Sequence, residues 1–415
     1  MFFNIKEAIL SAILAGILIF PVFGWRLFKS GGQFETRFEP ANILLTMGVV
    51  FAIFLCRPLW SQMLKVMPKF RSLELDDEQQ GRVIRWFFIA AFLFPVLMIL
   101  QRVTWPGRDY RVVIDVSSIA LTYVILGLSL NIIVGYAGLL NLGHVAFYGI
   151  GGYVFGCLFK FFGWGFWSSL PVAVFAAGLA GFLVSLPLLR LRGDYLAIVT
   201  LAFAEILRQV FNNEVPLFGG PDGIAGLPKP AVMGFEMLRR GDDTFHSLLG
   251  LTYDSRHMVI WLYFIVLALT LVTYLVSQRL LKMPLGRALE ALREDEIACQ
   301  SLGINPAPVK IWAFTIGSAM AGAAGAFFAT RNTMINPDCF QFLESIMILV
   351  AVVLGGMGSN LGVIIGSIVI VMIQEYGRDL AEYRMLVFGV LLVVMMLWKP
   401  QGFLPAKRKS VELPS

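Results

Sequence analysis

Reactive side chains are scarce. The 415 residues hold three histidines and four cysteines. Cys56, Cys157, Cys299 and Cys339 are widely scattered with no Cys-x-x-Cys spacing, which excludes a thiolate metal site or a redox pair of that kind. There is no His-Glu-x-x-His, so the zinc-hydrolase helix is absent. No Gly-Lys dipeptide occurs, so the chain lacks a P-loop and holds no ATP in that manner. Neither paired carboxylates nor a nucleophile with a neighbouring base is found, which speaks against an embedded enzyme. Charge is sparse as well: 14% of residues are charged against 58% hydrophobic. The net charge of +6 reads as loop charge that orients a membrane protein, with no nucleic-acid footprint.

What is present is glycine, 40 residues of it, and apolar runs long enough to span. These point to an all-α polytopic membrane protein with about 10–12 transmembrane segments. The expected spans are Ala8–Phe23, Ala41–Cys56, Trp86–Leu100, Val112–Val134, a glycine-rich segment continuing to Phe162, Leu170–Leu189, Tyr195–Phe211, Met258–Ser277, Ile311–Ala329, Ser345–Gly356, Leu361–Tyr376 and Met385–Trp398. Ala8–Phe23 has no small-x-small cleavage site after it, so it reads as a retained span. Residues 1–110 form an accessory N-terminal part of helices, 111–405 the core of the bundle, and 406–415 a basic tail. Asp194 is the expected N-cap of its span.

Two stretches stand out. From Gly135 to Gly152 the chain carries Gly135, Gly138, Asn141, Gly143, His144, Gly149, Gly151 and Gly152. Each glycine costs roughly 1 kcal/mol in a helix interior. Irregular backbone at membrane depth is tolerated only under protein or beside a water-filled cavity. A broken or re-entrant helix at the centre of a bundle fits both facts. The second stretch, residues 279–310, gathers Arg287, Glu290, Arg293, Glu294, Asp295 and Glu296 between two apolar runs. It cannot cross a bilayer, because a central charge costs roughly 2.5 kcal/mol or more. Pro284 is placed for a helix start and Asn305-Pro306-Ala307-Pro308 for a stop. On a helical wheel Leu285, Ala288, Leu289 and Leu292 share one face, while Arg287, Glu290, Arg293 and Glu294 share another. Glu290 is spaced to pair with either Arg287 or Arg293. The segment reads as a solvated surface hairpin or, more sharply, as a docking helix that offers its charged face to a soluble partner.

Lys and Arg counting orients the chain. The loop 57–85, the Arg190/Arg192 turn, the 279–310 loop and the tail share one side if the stretch from Asn141 is a full crossing. That side is the cytoplasm, with both termini inside.

Smaller motifs concern packing. Gly358, Gly362 and Gly366 recur every fourth residue, as do Ser318/Gly322 and Ala321/Gly325, each a smooth face for close helix approach. Asn141-Leu142-Gly143 and Asn360-Leu361-Gly362 repeat in the two halves, where duplicated transporters interrupt their helices. Among ionisable groups inside spans, Glu205 is spaced to pair with Arg208 near the outer interface. His144 either lines a path or bonds a neighbouring backbone group, and Asn131 is suited to bridging helices.

Taken together, LGLSLNIIVGYAGLLNLGHVAFYGIGGY, LPLLRLRGDYLAIVTLAFAEILRQV, GGPDGIAGLPKP, KMPLGRALEALREDEIACQSLGINP, VLGGMGSNLGVIIGSIV and WKPQGFLP closely resemble the permeases of bacterial ABC importers for branched-chain amino acids, the LivH/LivM family. The resemblance spans about residues 115–405. It implies a multi-pass subunit of a bacterial cytoplasmic membrane, without cofactor of its own. The implied partners are a second permease, two cytosolic ATPases that carry ATP and Mg²⁺, and a periplasmic binding protein that delivers Leu, Ile or Val. Residues 279–310 then correspond to the coupling region, with Arg287, Glu290, Ala291, Arg293, Glu294, Asp295, Glu296 and Gly303 as its contact set. Glu290-Ala291 with Gly303 is similar to the Glu-Ala-Ala…Gly pattern of such loops, although Leu292 stands in the third place. The implied path runs along Asn131, Gly135, Gly138, Asn141, Gly143 and His144, with Gly355 and Gly356 after the second repeat. The competing expectation is a self-sufficient secondary transporter, which needs a coupling-ion site; a third is an assembly protein without transport.

Overall fold

The computed structural model describes residues 25–30, 33–38, 77–104, 110–191, 193–231, 255–376, 389, 393 and 402–404. The chain divides into two compact units, Met1–Arg71 and Ser72–Ser415. In the first, strands β1 (Trp25–Ser30) and β2 (Gln33–Phe38) form an antiparallel hairpin pairing Trp25 with Phe38 and Ser30 with Gln33. The hairpin falls between the expected spans Ala8–Phe23 and Ala41–Cys56, where no regular element was expected. The signal lay in the Gly31-Gly32 dipeptide between two stretches that each carry two aromatic residues. The expected spans Ala8–Phe23 and Ala41–Cys56, the tail 406–415 and nearly all of Met385–Trp398 lie outside the described residues.

The second unit is helical: α1 (Asp77–Thr104), α2 (Tyr110–Leu130) running into a π-helical segment (Asn131–Tyr136), α3 (His144–Phe162), α4 (Phe166–Leu188), α5 (Asp194–Asn213), α6 (Ser255–Lys282), α7 (Pro284–Glu294), α8 (Glu296–Ser301), α9 (Pro306–Asn332), α10 (Phe342–Gly355) and α11 (Asn360–Tyr376). A two-residue ladder joins β3 (Ile224–Ala225) to β4 (Met334–Ile335). Among the described residues, six helices are long and apolar enough to cross a membrane. α1 starts at Asp77, upstream of the expected Trp86.

Two expected helix ends are corrected. Gly193, not Asp194, precedes α5: its φ of 57° suits glycine, and Asp194 is the first helical residue, where its carboxylate meets the helix dipole. Asn305-Pro306 opens a helix instead of stopping one. The Asn305 side chain accepts from Ala307 N at 3.0 Å, with Pro306 in the first turn of α9.

α9 is the axis of the unit. It packs most extensively on α4 and α3, then on α2. The contacts are made by small residues. A side chain at Gly151 would overlap the Gly322 backbone, one at Gly325 would meet the Tyr148 carbonyl, and one at Gly322 would strike Ala177. Removing Cβ lets backbones approach, so dispersion and weak Cα–H···O contacts replace the hydrophobic drive that lipid does not supply.

The same contacts give directions. Arg331, near the end of α9, pairs with Asp115 at the start of α2 at 2.8 Å, while Gly317 lies against Ser129 and Ile133 near the end of α2. α2 and α9 are therefore antiparallel. α3 runs with α9, since Gly151 meets Gly322 and Gly156 meets Ile335. α3 thus returns along α2 as a 19-residue helix, about 28 Å long and enough to cross. α4 opposes α9, with Ala177 on Gly322 and Gly181 on Ser318, so Arg190 lies at the end where α9 begins.

α10 and α11 form a tight hairpin. Gly355 and Gly362 touch backbone to backbone, and Gly366 sits on the Ala351 carbonyl. Residues 402–404 dock at its turn: Phe403 N donates to Leu354 O at 2.8 Å and Leu404 N to Gly355 O at 3.0 Å.

Gly151→Val forces α3 off α9 and is expected to abolish a monodisperse peak on detergent size exclusion. Gly165→Ala, where nothing lies within 4 Å and φ is −74°, is expected to leave the peak intact.

Candidate functional site at the broken helix

The apolar stripe of α7 is buried as its spacing requires. Leu289 and Leu292 join Ile132, Tyr136, Ala137, Leu280, Val309 and Ala313 in one cluster, with Leu285 and Ala288 at its edge. Gly286 lies directly on the backbone of Leu280 and Leu281. Arg287, Glu290 and Glu294 point away and are exposed, and Ala291 is half-buried. α7 therefore lies on the bundle with one face inward and a charged face outward.

Three side chains expected on the outward set are committed within the chain. Arg293 turns inward, and its Nη1 donates to Gly135 O at 2.6 Å. This corrects the expectation that Arg293 shares the outer face with Glu290: the guanidinium reaches a carbonyl that the helix break leaves short of a partner. Asp295 caps α8, accepting from Ile297 N at 2.7 Å and Ala298 N at 3.1 Å. Glu296 pairs with the buried Lys310 at 2.9 Å and ties α8 to α9. Gly303, exposed and at φ 82°, turns the chain out of α8.

The break faces α7. After Leu130 the backbone widens into the π-helical segment, a form that is rare and frequently functional. Gly135 is required there, because a Cβ would coincide with Asn131 Oδ1. Gly138, at φ 69°, lies beside the Arg293 side chain. Asn131 Oδ1 accepts from Gly358 N at 2.8 Å, in the turn between α10 and α11. Asn360 Oδ1 then gathers Tyr136 Oη at 2.5 Å, Ser277 Oγ at 3.0 Å and Asn131 Nδ2 at 3.5 Å. One polar joint thus connects the π segment, α6 and the α10–α11 turn, and Arg293 connects α7 to it.

A second cluster starts α3. Asn141 Oδ1 accepts from Gly143 N, Thr200 Oγ1 from Leu142 N, and Ser345 Oγ from Val145 N. Gly143 lies on the Thr200 carbonyl. His144 Nε2 is 2.7 Å from Ser129 Oγ, so a hydroxyl is its partner. Asn141 Nδ2, His144 Nδ1 and Asn360 Nδ2 are buried without a hydrogen-bond partner.

The expected path residues therefore fall into two adjoining clusters, and all but Gly138 are buried. Gly355 and Gly356 serve the hairpin instead, Gly356 lying against Gly402. Tyr136, Ser277, Asn360, Thr200, Ser129 and Ser345 were missed as site residues. Only Asn360 carried a signal, the repeated Asn-Leu-Gly; both copies sit where a helix turns back. Among the described residues no group of three His, Cys, Asp or Glu side chains could hold a metal. The arrangement offers no bond-breaking chemistry. It offers a mechanical linkage from a surface helix to a helix break.

The family model for the permease component of branched-chain amino acid transport systems matches residues 112–396. The chain belongs to this family. A second model, a domain of unknown function, matches residues 3–98. The high-affinity branched-chain amino acid transport system permease protein LivM of Escherichia coli is 46% identical over 99% of this chain and 97% of its own length. A probable LivM of Methanocaldococcus jannaschii is 28% identical over 69% of this chain and 91% of its own. LivH of Salmonella typhimurium is 26% identical over 68% of this chain and 91% of its own. No solved structure matches. As a permease component the chain is a multi-pass membrane subunit of a transport system with several components, and not an enzyme. The linkage above lies within the matched residues.

Asn360→Ala removes the acceptor shared by Tyr136, Ser277 and Asn131 and is expected to cost about 1–3 kcal/mol. A fall of several degrees in the thermal midpoint of the detergent-purified permease checks this. Glu290→Ala, on the exposed face, is expected to leave the midpoint unchanged.

Proposed function

We propose that this permease carries branched-chain amino acids across a bacterial cytoplasmic membrane as half of a permease pair. Two cytosolic ABC ATPases, which hold ATP and Mg²⁺, dock on the α7–α8 surface, and a periplasmic binding protein delivers substrate at the opposite end. The chain itself binds no cofactor. The end of the bundle that holds α7, Arg190 and the start of α9 faces the cytoplasm, because that is where its short-loop Lys and Arg collect. Both termini are then cytoplasmic.

One observation carries this reading: α7 has two working faces. Arg287, Glu290 and Glu294 are presented outward, while Arg293 is bonded to the π segment. A partner that moves α7 therefore pulls on Gly135, and through Asn131 and Asn360 on the α10–α11 turn. Motion reaches the break without passing through lipid-exposed polar backbone. The buried path residues belong to a closed state that such a pull opens.

Reversing Arg287→Glu, Glu290→Lys and Glu294→Lys together is expected to lose ATPase co-purification and to lower leucine uptake by vesicles at least tenfold. Intact association and uptake would sink the docking assignment. Arg293→Ala is expected to keep the ATPase bound and folded protein yield near normal, yet to lose most uptake, because docking survives and transmission does not. Equal loss of association in Arg293→Ala would return this residue to the docking surface.

A further inference from the structure

α5 does not fit a lipid-facing helix. Leu196, Thr200, Ala204 and Phe211 are buried, with Thr200 under Gly143 and Phe211 stacked on Tyr153 at 4.0 Å. The opposite face is exposed along the whole helix, from Tyr195 and Ile198 through Glu205 and Ile206 to Gln209 and Val210. Halfway along it Arg208 Nη2 meets Glu205 Oε1 at 2.6 Å and Arg208 Nε meets Oε2 at 3.1 Å, with Gln209 Nε2 at 3.2 Å from Oε1.

Depth decides what this pair means. Glu205 lies about 16 Å along the helix from Asp194 and about 12 Å from Asn213, so it is near the middle of a helix about 30 Å long. Its neighbour Phe203 touches Phe147, in the first turn of α3. The pair is thus at the level of the helix break and not at the outer interface. Charged groups at mid-depth face protein or a water-filled cavity, not hydrocarbon.

A shallow, open depression runs along this face, lined by α5 and the following Glu214 alone. Ala202, Ile206 and Val210 form its apolar side, and Gln209, Asn213 and Glu214 continue its polar line toward the end opposite α7. The two charges differ in access: the Arg208 side chain is 23% exposed and that of Glu205 48%. Glu205 lines the depression, and Arg208 is held beside it by the ion pair. A branched-chain amino acid is a zwitterion with an aliphatic branch. Its ammonium complements Glu205, its carboxylate complements Arg208 and the amide of Gln209, and its branch complements Ala202, Ile206 and Val210.

We propose that this face of α5 lines the translocation path and that Glu205 and Arg208 form a station on it for the zwitterionic amino acid. The second permease supplies the facing wall. The inference rests on the transport reading above and adds to it the substrate contact, which lies outside the glycine-rich residues expected to make it.

The test uses the assembled importer in proteoliposomes. Gln209→Cys is expected to react with a charged, membrane-impermeant thiol reagent well above the background of the parent chain, and leucine is expected to slow that reaction several-fold. Glu205→Gln is expected to cut leucine uptake at least tenfold with ATPase association unchanged. The double variant Glu205→Arg, Arg208→Glu rebuilds the ion pair with reversed polarity. A merely structural pair is rescued by the swap, whereas a substrate station is not. Full uptake in the swapped variant, or no reaction at position 209 while the parent complex transports leucine, overturns the proposal. A parent complex that binds its ATPases but takes up no leucine overturns the transport reading, and the proposal falls with it.

Discussion

An amide or carbonyl without a partner in hydrocarbon costs several kcal/mol, so a membrane helix leaves its hydrogen-bond register only where other groups take over. Between Leu130 and His144 this chain does so. The replacement partners come from distant parts of the sequence: Arg293 for Gly135 O, Thr200 for Leu142 N, and Ser345 for Val145 N. Asn131 returns the service by accepting from Gly358 N in the second break. The two interruptions therefore stabilise each other. Asn360 adds bonds to Asn131 and Tyr136, which makes the centre of the permease a connected unit.

Close backbone packing provides the frame for that unit. α9 lies against α3 and α4 through Gly322, Gly325, Gly151 and Gly181, where added methyl groups have no space. Such surfaces are smooth and lack interlocking side chains, so they hold helices near one another without fixing their axial position as firmly as large knobs would. The hydrogen bonds of the joint supply the register. A transporter needs both properties, since its helices must shift while each polar group keeps a partner. α7 is the handle on this arrangement, because its apolar stripe seats it and Arg293 ties it to the break.

Much of the architecture was legible from residues alone. Apolar runs marked most of the described helices within a turn or so, and the three- and four-residue spacing of Leu285, Leu289 and Leu292 gave the buried face of α7. The pairing of Glu205 with Arg208 followed from their spacing, while its mid-depth level followed from its place within α5 and from the contact of α5 with α3. Elsewhere local signals misled. Asp194 looked like a cap, but Gly193, at positive φ, holds that position. Arg293 and Glu296 looked like solvated charges, yet long side chains can reach inward from a partly covered position.

Composition and span length were enough to define a polytopic helical membrane protein, because the bilayer imposes its requirements residue by residue, while the permease reading came from the resemblance of its motifs to a known family. Periodicity on a single helix likewise settled which face of α7 is buried. Only the tertiary structure decided which polar groups serve the break, that Arg293 is a strut while Arg287 and Glu290 remain outside, and that the exposed charged face of α5 lies level with the break. These depend on residues more than 50 positions apart, and in the case of Gly135 and Arg293 more than 150. Sequence spacing carries no information about such pairs, since the helices that bring them together are placed by packing.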